Sequence, residues 1–114
     1  MSRVLVLEDE PLIAMMLEDW LLEIGHEPVG PAATIASALE LVQQRSPEVA
    51  ILDLSINGQT SYVVADLLVE RGVPFAFATG HGTAQLSAPH DGAPVLGKPY
   101  DFESVKAMMV RLLG

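Results

Sequence analysis

The chain has 114 residues, half of them hydrophobic, with 15 acids against six Lys and Arg and a net charge of −9, which reads as one globular domain able to bury roughly two thirds of its unfolded surface. The absence of cysteine excludes a disulfide framework, a thiolate metal site and a cysteine nucleophile. No apolar run nears the ~20 residues of a membrane span; Met1-Ser2-Arg3 runs straight into an apolar stretch, so no signal peptide is expected and the chain reads as cytoplasmic.

The first strand is Arg3-Val4-Leu5-Val6-Leu7, an unalternating apolar run of the kind covered on both faces, and it stops at Glu8-Asp9-Glu10. Pro11 suits the first turn of a helix with Ile13, Leu17, Trp20, Leu21 and Ile24 inside, closed by Gly25. Met15 and Leu22 lie on this helix outside its inner stripe. A weak strand covers Glu27 to Gly30. Thr34 caps a helix from Ile35 to Arg45, and Pro47 stops it. Between Val4 and Gln44 there are eight acids and no Lys or Arg, a surface that repels nucleic acid and anionic lipid, so neither partner is expected.

Val49 to Leu52 is a second buried strand ending at Asp53, and Asn57-Gly58 is a turn. Thr60 or Ser61 caps a helix with Val63, Val64, Leu67 and Leu68 inside, ended by Gly72. Pro74 to Ala78 is a strand ending at Thr79. Gly80 to Pro94 holds three glycines and two prolines, so the fourth helix is expected to be short or irregular, confined to Thr83 to Leu86, and the least protected segment. Val95-Leu96 is a short strand before Gly97-Lys98-Pro99, and Asp101 caps a last helix with Phe102, Val105, Met108, Met109 and Leu112 inside. Alternating strands and helices imply an α/β fold: a parallel sheet with helices on both faces. His26 and His90 read as surface residues, and no two histidines have metal-ligand spacing.

Ligands of an open parallel sheet sit at the carboxyl ends of its strands. That rim collects Glu8, Asp9 and Glu10, then Asp53, Thr79-Gly80 and Lys98-Pro99. Three acids in the first turn, without a glycine nest, exclude a dinucleotide or P-loop site. Crowded carboxylates suit a hard divalent cation such as Mg²⁺, which takes few carboxylates and shares phosphate oxygens. Singly, each residue has an ordinary structural explanation: Glu10 favours the helix dipole, and Lys98 is a solvated surface lysine. Only their convergence argues for a site.

The motifs Val-Leu-Glu-Asp-Glu-Pro at 6–11, Leu-Asp-Leu at 52–54, Ala-Thr-Gly at 78–80 and Gly-Lys-Pro at 97–99, each at a strand end, resemble a response-regulator receiver domain of two-component signalling, over essentially all of residues 1–114. The resemblance implies a doubly wound five-stranded sheet in order 2-1-3-4-5, the flavodoxin/CheY-like (βα)5 fold. It makes Asp53 the phosphoacceptor, with Mg²⁺ on Asp9, on Glu8 through water, on Asp53 and on the Ser55 backbone carbonyl. Thr79 and Lys98 would bind the phosphoryl oxygens, and the Lys98–Pro99 bond would be cis. The donor would be a histidine kinase or histidine phosphotransfer protein, the recipient a downstream protein that the sequence does not name. Such a chain is no enzyme beyond catalysing its own phosphorylation and dephosphorylation, and acts by partner binding or as a phosphate sink.

Two departures stand out. Most receivers carry an aromatic where this chain has Val95. Pro74-Phe75-Ala76-Phe77-Ala78-Thr79-Gly80 resembles the FAT GUY subgroup of atypical receivers, often paired with HWE-type kinases, yet His81-Gly82 stands where that subgroup has an aromatic. A switch loop of Gly80, His81 and Val95 is therefore expected to work by ordering rather than by an aromatic swing. The rivals are a receiver-like scaffold independent of phosphorylation, and an aspartyl-phosphate phosphatase, which would want an acid where Ser55 stands.

Overall fold

Buried β-rich runs and amphipathic helices alternate along the chain as their sequence periods require. The computed structural model describes residues 2–80 and 86–114. In order come β1 (Arg3–Leu7), α1 (Pro11–Ile24), β2 (Glu27–Ala32), α2 (Ile35–Arg45), β3 (Val49–Asp53), β4 (Ser55–Ile56), β5 (Gln59–Thr60), α3 (Tyr62–Glu70), β6 (Phe75–Thr79), β7 (Val95–Gly97) and α4 (Phe102–Leu113). None of the described helices is long and apolar enough to cross a membrane.

Five strands pair in the order β2-β1-β3-β6-β7. Every neighbouring pair is parallel. This is the 2-1-3-4-5 order expected once the short β4–β5 hairpin is set aside. The chain winds from β1 out to β2 and returns to β3 on the other side, so the order reverses at β1. A crevice therefore opens between the carboxyl ends of β1 and β3. Alternation along the strands separates two cores. Leu5, Leu7, Leu52 and Phe77 meet Ala38 and Val42 of α2 and Val64 and Leu68 of α3. Val4, Val6, Ile51 and Ala78 meet Leu17 and Leu21 of α1 and Val105 and Met109 of α4. Two helices thus cover each face.

The helix ends follow their sequence signals. Thr34 Oγ1 accepts from the Ser37 amide at 3.1 Å, and Asp101 Oδ1 accepts from the Ser104 amide at 2.8 Å. Gly25 closes α1 in the left-handed region at φ 102°, donating to the carbonyls of Leu21 and Leu22.

Three expectations need correction. The inner face of α3 is Val64, Ala65 and Leu68, while Val63 is exposed; a helix that begins at Tyr62 turns Val63 away from the sheet. Ser61 occupies the N-cap position without making a side-chain cap bond. His90 is no surface residue: its side chain is only 10% exposed and stacks on Tyr62 with centroids 4.0 Å apart. The Asn57-Gly58 turn, with φ of 52° and 80°, closes the antiparallel hairpin of β4 and β5, which the sequence did not announce. The expected helix at Thr83 to Leu86 lies, except for Leu86, outside the described residues, as do His81 and Gly82. From Leu86 to Pro94 the chain makes turns and no helix.

Candidate functional site

The carboxyl rim is assembled by backbone pairing. The Glu8 amide donates to the Ala32 carbonyl at 2.9 Å, which ties the end of β1 to β2. Asp53, the last residue of β3, pairs with Ala78, and Thr79 pairs with Gly97. The Lys98 amide donates to the Thr79 carbonyl at 3.0 Å, so the two residues are fixed side by side. The Lys98–Pro99 peptide is cis.

The side chains converge on Lys98. Its Nζ donates to Asp53 Oδ2 at 3.0 Å and to Glu8 Oε1 at 3.2 Å. Glu8 is 3% exposed and Asp53 8% exposed. Asp9 lies nearer solvent, and its Oδ2 accepts from the Asn57 amide at 3.3 Å, which connects β1 to the β4–β5 turn. One carboxylate oxygen each from Glu8, Asp9 and Asp53 lies within 4.8 Å of the others. The Ser55 amide reaches Asp53 Oδ1 at 3.5 Å, and the Glu10 amide reaches Glu8 Oε2 at 3.2 Å. Thr79 is buried at the end of β6, and Gly80 after it is exposed. Val95 is partly buried and packs with the α2 and α3 core.

Burial and the adjacent Asp53 carboxylate push the Glu8 carboxyl from its ordinary 4.5 up to about 7, with the Lys98 charge opposing. Burial works against the Lys98 charge, yet the hydrogen bond and charge of Asp53, joined by Glu8, hold its pKa above the ordinary 10.5. Three carboxylates against one ammonium leave a surplus of negative charge at hard oxygen donors. That donor set fits Mg²⁺, a hard cation that accepts carboxylate oxygens and retains waters.

Sequence reasoning missed Tyr100. It is 7% exposed, and its hydroxyl lies 3.5 Å from Glu8 Oε1. Burial, then the Glu8 and Asp53 charges, push its phenol above the ordinary value, so it remains a donor at neutral pH. The available signal was an aromatic hydroxyl two residues beyond a rim lysine.

The family model for the response regulator receiver domain matches residues 4–109. The chain belongs to this family. It is 30% identical over 116 residues to the phyllosphere-induced regulator PhyR of Methylorubrum extorquens, covering 98% of this chain but 43% of that protein, so the receiver spans less than half of this relative. The solution structure of SdrG from Sphingomonas melonis Fr1 matches with a TM-score of 0.87 and 40% identity, over 100% of this chain and 98% of that one. The BeF3-activated conformation of SdrG from Pseudomonas melonis Fr1 matches with a TM-score of 0.85 and 41% identity, over 98% of this chain and 96% of that one.

Proposed function

We propose that this receiver takes a phosphoryl group onto Asp53 from a histidine kinase, HWE-type kinases included, or from a histidine phosphotransfer protein, in a Mg²⁺-dependent reaction. The phosphorylated form then signals by binding a downstream protein, or drains phosphate from the kinase. The observation that carries this reading is the Lys98 ammonium 3.0 Å from Asp53 Oδ2, with Glu8 and Asp9 beside it at the sheet's carboxyl rim. A relative described in a BeF3-activated conformation supports it.

An Asp53 oxygen attacks phosphorus, the P–N bond of the donor phosphohistidine breaks, and the leaving imidazole takes up a proton. Negative charge spreads over three equatorial oxygens in the transition state. Lys98 Nζ, already directed at Asp53, turns to those oxygens, and Thr79 is the hydroxyl placed to join it. Asp9, Asp53 and the Ser55 carbonyl would hold Mg²⁺ directly, with Glu8 behind a water; the ion supplies positive charge to the transferring group. The protein is no enzyme beyond this chemistry on itself.

The test is intact mass after incubation with Mg²⁺ and a small phosphodonor. The wild type should gain one phosphoryl group, Asp53→Asn should gain none, and Lys98→Ala should gain it more slowly. A chain that gains nothing under any donor is a phosphorylation-independent scaffold, and phosphate retained by Asp53→Asn removes Asp53 from the role.

A further inference from the structure

The oxygen Glu8 Oε1 is contested. Lys98 Nζ holds it at 3.2 Å while also holding Asp53 Oδ2 at 3.0 Å, and the Tyr100 hydroxyl waits at 3.5 Å, the long limit of a hydrogen bond. Glu8 is 3% exposed, so losing one of the donors on Oε1 is costly. The Tyr100 ring is buried in the core with Leu96, Val105 and Met108, and it lines a cleft with Ile13, Met16, Lys98 and Pro99, while its hydroxyl end reaches the acid cluster. Glu8 is the partner of that hydroxyl.

Phosphorylation disturbs this arrangement in one direction. Once an Asp53 oxygen is bonded to phosphorus, the carboxylate charge that attracted Lys98 is gone, and the new charge sits on the phosphoryl oxygens. Lys98 following that charge leaves Glu8 Oε1. We propose that Tyr100 is a positioning residue that takes over the hold on Glu8 when Lys98 moves to the phosphoryl group, keeping Glu8 oriented toward the metal's water shell in the phosphorylated state. The inference rests on the phosphoacceptor reading above.

The test compares Mg²⁺ affinity of the wild type and Tyr100→Phe, read from amide NMR shifts at Asp9 and Asp53, with and without beryllofluoride as phosphoryl mimic. Tyr100→Phe keeps the ring in its cleft and deletes only the donor. In the free protein, where Lys98 still holds Glu8, Mg²⁺ affinity should change less than about twofold. In the mimic-bound protein it should fall about tenfold, as expected for one charge-assisted hydrogen bond. A merely structural role of Tyr100 would weaken both states alike, and that outcome, or no weakening in either, overturns the inference. A wild type with no Mg²⁺-dependent shifts at Asp9 and Asp53 overturns the reading of the site itself and this inference with it.

Discussion

Glu8 sits in an environment that suits its neutral form: 3% exposed, with a second carboxylate beside it and only part of an ammonium to balance the pair. Its pKa stands at about 7 in the fold against an ordinary 4.5. The folded state therefore binds this proton more tightly than the unfolded chain does. The stability it lends is fully present below about pH 4.5 and is lost as pH rises to about 7. Relative to Glu8→Gln, which cannot titrate, the metal-free wild type should lose on the order of 2 kcal/mol across that window. Mg²⁺ should restore most of it at pH 8, because the cation replaces the proton as the counter-charge. Urea midpoints for both proteins at pH 4.5, 6 and 8, with and without Mg²⁺, decide it; parallel curves would show that Glu8 does not hold the proton.

Between β6 and β7 the described segment from Leu86 to Pro94 has turns instead of a helix, and long-range contacts fasten it to α3. The Ser87 amide donates to the Tyr62 hydroxyl at 3.0 Å. His90 lies flat on Tyr62, pairs with Asp66 through Nε2 at 2.8 Å, and turns its edge to Phe77. His90→Ala removes a stacked ring pair and the hydrogen bond to Asp66 together, and should destabilise the fold by about 1–2 kcal/mol. His90→Phe keeps the stacking and should recover more than half of that loss. Hydrogen exchange at the Ser87 amide is the local readout, and its protection should fall in His90→Ala. The sequence pointed to weak structure here from its glycines and prolines. It could not reveal the clasp, because His90 follows no helical or strand period and its partners in α3, Tyr62 and Asp66, stand 24 residues or more away. The same limit hid the β4–β5 hairpin, whose strands are two residues each and carry no alternation. The caps at Thr34 and Asp101 were legible because their chemistry is complete within three residues.

For the molecule as a whole, apolar runs ending in Glu8, Asp53, Thr79 and Lys98 were enough to place four side chains on one rim, because a parallel sheet carries every strand end to the same side. Tyr100 stayed hidden because a hydroxyl's partner is a matter of tertiary packing, as was the exposure of Val63. The net charge of −9 is equally plain in the sequence, and it acts on every approaching partner. A small anionic phosphodonor must reach Asp53 against that field. A protein donor is expected to dock on a different surface, the exposed face of α1, where Leu12, Met15 and Leu22 are exposed on a helix that also carries Glu18, Asp19 and Glu23. Exposed apolar side chains on an acidic helix suit a partner with an apolar centre and a basic rim. The two donors should therefore respond to salt with opposite signs. Raising ionic strength from roughly 50 to 300 mM shortens the Debye length from about 14 Å to about 6 Å, well below the size of the molecule. The phosphorylation rate with the small donor should rise about twofold or more, while transfer from the protein donor should fall. Met15→Lys should slow the protein donor at least fivefold and leave the small donor within about twofold, since the residue is remote from the chemistry. Second-order rate constants for both donors at both salt concentrations provide the check; a common salt dependence would mean that neither approach is governed by this protein's charge.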